Sequence, residues 1–235
     1  MSAAEILKQL KTLGTDSYKK VILNHGINEP VYGVKIEELK KFQKRIKKDY
    51  QLALDLYDTG VYDAQYLAGL IADDQKMTKK DLRNWVAKSN CIAICGTAVA
   101  GVAAESKHGW DLGLEWIDSG KENVATAGWD TLGLIVAIRD DANLDLDAIK
   151  KLVERVEQRI EDAPNRVRYA MNSFVIAVGI YVKSLNALAK KTGERIGIVT
   201  VDMGNTACKV PFAPDYIKKA EKRGSIGKKR KSARC

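Results

Sequence analysis

The sequence predicts an all-α fold. From the first residues onward, apolar side chains recur at helical spacing, as Ile6, Leu7 and Leu10 do in the segment 2–13. Such spacing is typical of amphipathic helices. Short polar breaks separate the successive segments, and a strand is suggested only over residues 196–201. Helices that follow one another without strand–helix alternation form either a bundle or an α-solenoid.

Helices are predicted in chain order over residues 2–13, 16–24, 35–48, 51–57, 64–72, 78–87, 90–104, 109–119, 124–138, 146–160 and 166–189. Gly14, His25-Gly26 and Pro164 supply stop signals between neighbouring segments. The segment 90–104 differs from the others because residues 92–104 carry no charge. A helix without a polar face is usually buried on all sides, so this one is predicted to be an inner helix that lines any cleft.

The helix pairs recur at roughly 35–45 residues, which is the range of HEAT-type arrays. This recurrence favours an α-solenoid of HEAT-like repeats, with a concave face, over a closed bundle. Residues 1–195 are predicted to form the repeat domain, and residues 196–235 a short, irregular, basic C-terminal extension. The protein is expected to be a monomer.

The composition is that of a globular protein, with 46% apolar and 29% charged residues. No apolar run approaches the roughly 20 residues of a spanning helix. The four cysteines lack close pairing motifs and fit reduced thiols, so a cytoplasmic protein without membrane contact is expected. No nucleotide-binding glycine loop or hydrolase triad is present, and neither a cofactor nor a metal is predicted.

The net charge of +9 is unevenly distributed. Residues 1–50 carry +5, residues 51–165 carry −8, residues 166–208 carry +4 and residues 209–235 carry +8. Basic ends around an acidic middle indicate a positive surface for a polyanion such as DNA, although a solvated face with a charged tail has the same composition.

Lysines of the basic helix 35–48 and of the C-terminal segment are the predicted phosphate contacts. Four successive basic residues after Gly224 and Gly227 predict a mobile arm that positions DNA without reading bases, the alternative being a solubilising tail. The predicted DNA-binding residues are Lys40, Lys44, Lys47, Lys228, Lys229, Arg230 and Lys231.

Several short motifs occur in a recognisable order. Tyr32-Gly33-Val34 precedes the basic helix, Leu67–Asp74 follows it, Trp85 precedes the inner helix, and Ala127-Gly128-Trp129 is followed by Leu132. In order and spacing these residues resemble AlkD-type DNA alkylation repair proteins over about residues 31–182. The resemblance implies a HEAT-like repeat fold that binds double-stranded DNA, damaged or distorted, and whose catalytic members remove alkylated purines.

The positions that carry the family's chemistry depart from its pattern. Where catalytic members read D-N-W-D-x-x-D, the tryptophan falls at Cys91 and the last aspartate at Cys95. The paired arginines fall at Ala125 and Thr126, and the later cleft tryptophan falls near Ser173. A carboxylate is needed to stabilise the positive charge that develops on the sugar, and a buried thiol, with a reference pKa of about 8.5, is not ionised. A DNA-binding member without excision by the family mechanism is therefore predicted.

Other residues have two interpretations each. Cys91 and Cys95 are either half of a metal or redox site, or small apolar side chains in a helix interface, which the lack of ligand spacing favours. Residues 201–211 are either an ordered loop beside the cleft, with Asp202, Cys208 and Lys209 as its reactive members, or a structured cap on the last helix pair. Trp85, Trp110 and Trp129 are candidates for aromatic cleft residues, although a core role is favoured.

Two further functions stay open from the sequence. The first is an active glycosylase in which Asp111, Asp118 or Asp130 replaces the missing aspartate. The second is a repeat scaffold that binds a protein or RNA through its acidic middle, and whose binding would be insensitive to salt.

Overall fold

The computed structural model describes residues 1–89 and 91–234, and over these residues it is all-helical with no strand. The prediction of an all-α fold is confirmed. Two compact units form: one comprises residues 1–108 with 203–207 and Arg234, the other residues 109–202 with 208–233. The predicted boundary after residue 195 stays a prediction.

Seven helices build the N-terminal unit. They are α1 (Ala3–Leu13), α2 (Asp16–Asn24), α3 (Ile36–Ile46), α4 (Tyr50–Asp58), α5 (Tyr62–Ile71), α6 (Lys79–Lys88) and α7 (Ile92–Glu105). Helix α5 is the centre of this unit, because α1, α3, α4 and α7 all pack against it. The predicted inner helix 90–104 is observed as α7, with a π-helical stretch over Cys95–Val99, and Asn90 lies outside the described residues.

A buried aspartate fixes the connector that precedes α3. The Asp63 carboxylate is fully buried and accepts hydrogen bonds from the backbone amides of Tyr32, at 2.6 Å, and Val34, at 2.7 Å. Gly33 between them has a φ of 79°, and a Cβ there would lie 2.5 Å from the Thr15 carbonyl oxygen. Only glycine fits this conformation and this space, which explains the Tyr-Gly-Val motif.

Six helices build the second unit. They are α8 (Gly109–Trp116), α9 (Glu122–Ile138), α10 (Leu146–Arg159), α11 (Asn165–Tyr181), α12 (Asn186–Ile196) and α13 (Ala213–Lys222). Helices α9 and α11 form its core. A Cβ at Gly128 would lie 2.6 Å from the backbone nitrogen of Ile117, so this glycine lets α9 approach the end of α8 closely.

The predicted helix over residues 166–189 is wrong, because the chain bends at Val182. Helix α11 ends at Tyr181, a 3₁₀ turn spans Lys183–Leu185, and the following helical segment runs at 114° to α11. The side-chain amide of Asn186 donates to the Gly179 carbonyl at 2.8 Å, which satisfies an acceptor that the helix end leaves open.

The C-terminal extension was predicted to be irregular, and instead it contains helix α13. Ala213, Ile217 and Ala220 are buried at helical spacing, and Pro214 stands in the first turn, where its missing N–H is not needed. The preceding residues 197–212 are extended or irregular, without the strand suggested for residues 196–201.

No single helix in the described part of the chain is long and apolar enough to cross a membrane; α11 with the segment after it passes that test only as a bent pair.

Arg234 completes the N-terminal unit. Its guanidinium donates to the Gly69 and Ala72 carbonyls at 3.2 and 2.8 Å, to Asp74 at 2.6 Å, and through Nε to Glu105 at 2.7 Å. The side chains of Arg234, Asp74 and Glu105 are 9%, 6% and 15% exposed. Burial alone would raise the pKa of Asp74, but the hydrogen bonds from Lys48 and Gln75 and the charge of Arg234 outweigh it, so the pKa is lowered.

We expect Arg234→Met to destabilise the N-terminal unit by about 3 kcal/mol, because it removes the guanidinium that donates to the buried carboxylates of Asp74 and Glu105. Urea unfolding at pH 7 measures the loss. The pKa of Asp74 is lower in the folded state than in the unfolded state. The ionised carboxylate therefore stabilises the folded state at a pH above the ordinary carboxyl pKa, and this stabilisation is lost as the pH falls through the pKa of folded Asp74. Without Arg234 the pKa of Asp74 is lowered less, so the variant should lose less stability than the wild type as pH falls below the ordinary carboxyl range, and the difference between the two proteins should shrink there. Lys231→Met, which removes an exposed charge, is the control, and equal stability of the two variants would contradict this role for Arg234.

Candidate nucleic-acid interface

Helix α3 and the residue after it present a row of exposed lysines. Leu39 and Phe42 face the core, so that Lys40 and Lys44, one helical turn apart, face solvent. Lys47 follows the helix with a φ of 64° and is also exposed. In residues 1–89 and 91–234 no carboxylate pairs with these three ammonium groups, whereas Lys41 pairs with Glu38 at 2.7 Å and Lys48 with Asp74 at 2.5 Å.

The two cysteines at the family's catalytic positions lie inside the N-terminal unit. Cys91 is 6% and Cys95 0% exposed, and Cys95 begins the π-helical stretch of α7. Burial raises the pKa of the Cys91 thiol, so this group is protonated at neutral pH. Among the described residues, no three His, Cys, Asp or Glu side chains are arranged to hold a metal ion.

The tryptophans occupy different environments. Trp85 is fully buried and stacks on Tyr57, with ring centroids 4.1 Å apart. Trp129 is 1% exposed and packs against Phe174 at 5.3 Å, and Trp110 is half-buried at the start of α8. Trp85 and Trp129 are therefore core residues.

An open groove of about 670 Å³ lies beside Trp129 in the second unit. Arg155 reaches over the Trp129 ring at 5.9 Å and pairs with Asp118 at 2.5 Å. Because the groove carries both Arg159 and Asp162 as well, its charges are mixed and do not select one sign of ligand.

One face of α9 carries a buried hydroxyl and a carboxyl with a raised pKa. Thr126 and Asp130 are one turn apart and share a side of the helix. The Thr126 hydroxyl is buried without a hydrogen-bond partner in the described structure. Burial raises the pKa of the Asp130 carboxyl to about 7, although the side chain keeps some exposure. A carboxyl that is half ionised near neutral pH can exchange a proton or accept a hydrogen bond.

Helix α11 contributes Tyr169 and Ser173 to the same region. Burial raises the pKa of Tyr169, and the neighbouring Asp130, Tyr216 and Cys208 raise it further. Ser173, one turn further along α11, is half-buried. The positions at which the family's arginine and cleft tryptophan fall, Thr126 and Ser173, are thus one helical turn from Asp130 and Tyr169.

Two asparagines of α11 hold Asp202 and Pro211, near the two ends of the segment 201–211. Asn165 accepts from the Asp202 amide at 2.7 Å and donates to its carbonyl at 2.9 Å. The Asn172 amide donates to the Pro211 carbonyl at 2.8 Å. Asp202, Cys208 and Lys209 are exposed. The segment is therefore an ordered connector to α13, and the Cys208 thiol lies near Tyr169.

The C-terminal basic residues do not form a free arm. The Lys229 ammonium donates to the Val136 carbonyl at 2.9 Å and pairs with Asp141 at 2.7 Å, and the Arg230 amide donates to the Ala137 carbonyl at 2.8 Å. The prediction of a mobile arm is wrong, because the end of α9 offers acceptors that the segment satisfies. Lys228 and Lys231 remain exposed.

Sequence reasoning missed α13 and its exposed side chains. Tyr216 is 46% exposed, and Lys218, Lys222 and Arg223 lie on the outer side of the helix. Ala213, Ile217 and Ala220 were the available signal, since they have the spacing of a helix with one buried face.

We expect Asp130→Asn to stabilise the protein at pH 8 by about 1–2 kcal/mol, since one pKa step corresponds to about 1.4 kcal/mol and part of the shift is screened by solvent. The pKa of this acid is raised in the folded state, so the wild type loses stability as pH rises from the ordinary carboxyl value to about 7. The difference between variant and wild type should grow from pH 4 to pH 7 and stay level above. Urea unfolding across this range measures it, with Asp162→Asn as the exposed control, and a difference that does not change with pH would contradict the raised pKa.

Residues 6–189 match the family described as DNA alkylation repair enzyme. Two curated relatives, uncharacterized proteins of Listeria monocytogenes and Listeria innocua, are each 30% identical over 220 residues, which cover 92% of this chain and 95% of theirs. A solved structure, described as "a new family of proteins related to the HEAT-like repeat DNA glycosylases with affinity for branched DNA structures", is 34% identical, covers 100% of both chains and has a TM-score of 0.92. With these matches and the all-helical architecture, the chain belongs to the DNA alkylation repair enzyme family, as a divergent member with the HEAT-like repeat fold.

Proposed function

We propose that this protein binds branched or otherwise distorted DNA through backbone phosphates and does not excise bases by the family mechanism. The row of exposed lysines Lys40, Lys44 and Lys47, which pair with no carboxylate among the described residues, supports the proposal most directly. Ammonium groups that lack a carboxylate partner can bind DNA phosphates and release the counterions condensed on the DNA. This release is the main source of DNA affinity that does not depend on base sequence.

The similar solved structure supports the choice of DNA form. It belongs to a protein group with affinity for branched DNA, and its likeness extends over the whole chain. Phosphate contacts alone do not distinguish base sequences, so selection of one DNA form over another depends on shape and deformability.

The absence of excision rests on the residues at the family's catalytic positions. Cys91 and Cys95 are buried, and the Cys91 thiol has a raised pKa. A neutral thiol cannot stabilise the cationic sugar that forms as a glycosidic bond breaks. The hydroxyls of Thr126 and Ser173 supply neither the positive charge nor the aromatic ring of the family pattern.

A second candidate function is an active glycosylase that uses Asp130. The observation that favours it is the raised pKa of this carboxyl, on the helix face shared with Thr126. At pH 8 the group is mostly ionised and is able to stabilise a developing positive charge.

We expect Lys40→Gln/Lys44→Gln to weaken binding to linear and branched DNA alike. The logarithm of affinity against the logarithm of salt concentration should lose about 1 unit of slope for each phosphate contact removed. Fluorescence anisotropy across a salt series measures both effects. Lys41→Gln/Lys76→Gln carries the same charge change at lysines already paired with Glu38 and Asp73, and should keep the wild-type slope. Unchanged binding by the first variant would remove α3 from the interface.

We expect no release of 7-methylguanine above the uncatalysed rate when the wild type is incubated with an alkylated duplex at pH 8. Release of free base, scored by chromatography, decides between the two functions. Release by the wild type that disappears in Asp130→Asn would establish the second candidate and overturn the first.

A further inference from the structure

Helix α13 is fixed in the second unit and presents one exposed face. Ala213, Ile217 and Ala220 are buried against α11 and α12. The Lys190 ammonium of α12 pairs with Glu221 of α13 at 3.0 Å. The opposite face is therefore held in a constant orientation, which lowers the entropic cost of binding.

Positive charge without anionic partners covers this face. Lys218 and Lys222 are one turn apart, and Arg223 follows at the end of the helix; all three are exposed. In the described part of the chain none of them forms an ion pair, whereas Glu221 is paired with Lys190. Asp215, in the first turn, is the exposed acid of α13.

The turn after α13 holds further cations in place. Ser225 donates its amide to the Ala220 carbonyl at 3.0 Å, and the Gly227 amide donates to the Ile180 carbonyl at 2.8 Å. Lys228 donates its amide to the Ser225 carbonyl at 3.1 Å while its side chain is exposed. The backbone that carries Arg223 and Lys228 is thus anchored by hydrogen bonds.

Tyr216 is the exposed aromatic of this charged face. It is 46% exposed, and the Lys219 ammonium lies 4.9 Å from its ring centroid. Tyr216, Lys219 and Arg223 share one side of α13 by helical spacing. An aromatic ring among unpaired cations is the arrangement by which proteins hold single-stranded nucleic acid, since bases stack on the ring and phosphates meet the cations.

Tyr216 also neighbours the face that replaces the family's cleft residues. Tyr216 and Asp130 are both close enough to Tyr169 to raise the pKa of that phenol, and Tyr169 lies one turn from Ser173 on α11. Position 173, where the family has a tryptophan, is a serine in this chain. Helix α13 places the aromatic ring of Tyr216 in the same region of the second unit.

We infer that Tyr216, with Lys219 and Arg223 on the same side of α13, forms a second DNA-contact surface that stacks an unpaired base at a branch point and holds the phosphates on either side, while Lys218 and Lys222 extend the positive charge along the helix. This rests on the proposed function, in which the lysines of α3 bind duplex phosphates. Bases inside a continuous duplex are stacked on each other and do not reach Tyr216, so the stacking contact adds affinity for branched DNA only.

The test compares full-length Tyr216→Ala, Tyr216→Phe and Lys219→Gln/Arg223→Gln on a fluorescein-labelled three-way junction with two unpaired bases and on a linear duplex. Lys219→Gln/Arg223→Gln, which removes the two cations on the side of Tyr216, should weaken junction binding and lower its salt dependence. Tyr216→Ala should weaken junction binding about 5- to 100-fold and duplex binding less than about 2-fold, because stacking on one base contributes that much. Tyr216→Phe should bind as the wild type does, since the ring is kept. The matched control is Lys150→Gln/Lys151→Gln, which removes two exposed lysines of α10 in the same unit.

A second readout reports stacking directly. With 2-aminopurine in place of an unpaired base, the wild type should quench the fluorescence and Tyr216→Ala should not. Equal junction affinity and equal quenching for Tyr216→Ala and wild type would overturn the inference. The inference would also be overturned if polyglutamate displaced the junction from the wild type and from Tyr216→Ala to the same extent, because that result would indicate general polyanion binding. If the wild type binds neither DNA, the proposed function itself fails.

Discussion

The carboxylate of Asp63 is the interaction on which the N-terminal unit depends. It is buried in α5, the helix against which most of the unit packs, and two backbone amides compensate its charge. A buried charge is tolerated only when it is hydrogen-bonded in this way. Because those amides belong to Tyr32 and Val34, the same bonds set where α3 begins and hence where Lys40 and Lys44 face solvent. A core interaction thus positions the charges proposed to meet DNA.

The helices were predictable because each buries a stripe of side chains that is visible in the sequence, and the family motifs placed them in order. Two failures share one physical cause. The bend at Val182 is stabilised by Asn186, and α13 forms because Ala213, Ile217 and Ala220 find a surface on α11 and α12. The first depends on a single hydrogen bond and the second on helices elsewhere in the chain. Neither contact is visible in the spacing of apolar residues, so periodicity alone does not predict the bend or α13.

The candidate site was predictable in its charge and not in its geometry. The exposure of Lys40 and Lys44 follows from helical spacing, whereas the packing of Lys229 on the end of α9 requires acceptors 93 residues away. The raised pKa of Asp130 likewise depends on its burial in the folded unit, which the sequence does not show. Tyr216 was not predicted as a site residue. The exposure of a single tyrosine in a charged stretch cannot be predicted until the buried side of α13 is known.

The N-terminal unit is assembled from distant parts of the chain. Arg234 reaches Glu105 across 129 residues and Asp74 across 160. The cluster of Arg234, Asp74 and Glu105 is therefore closed by contacts of long sequence separation. Closing a long loop costs conformational entropy, so this cluster should form after the local packing of α5 and α7 in folding.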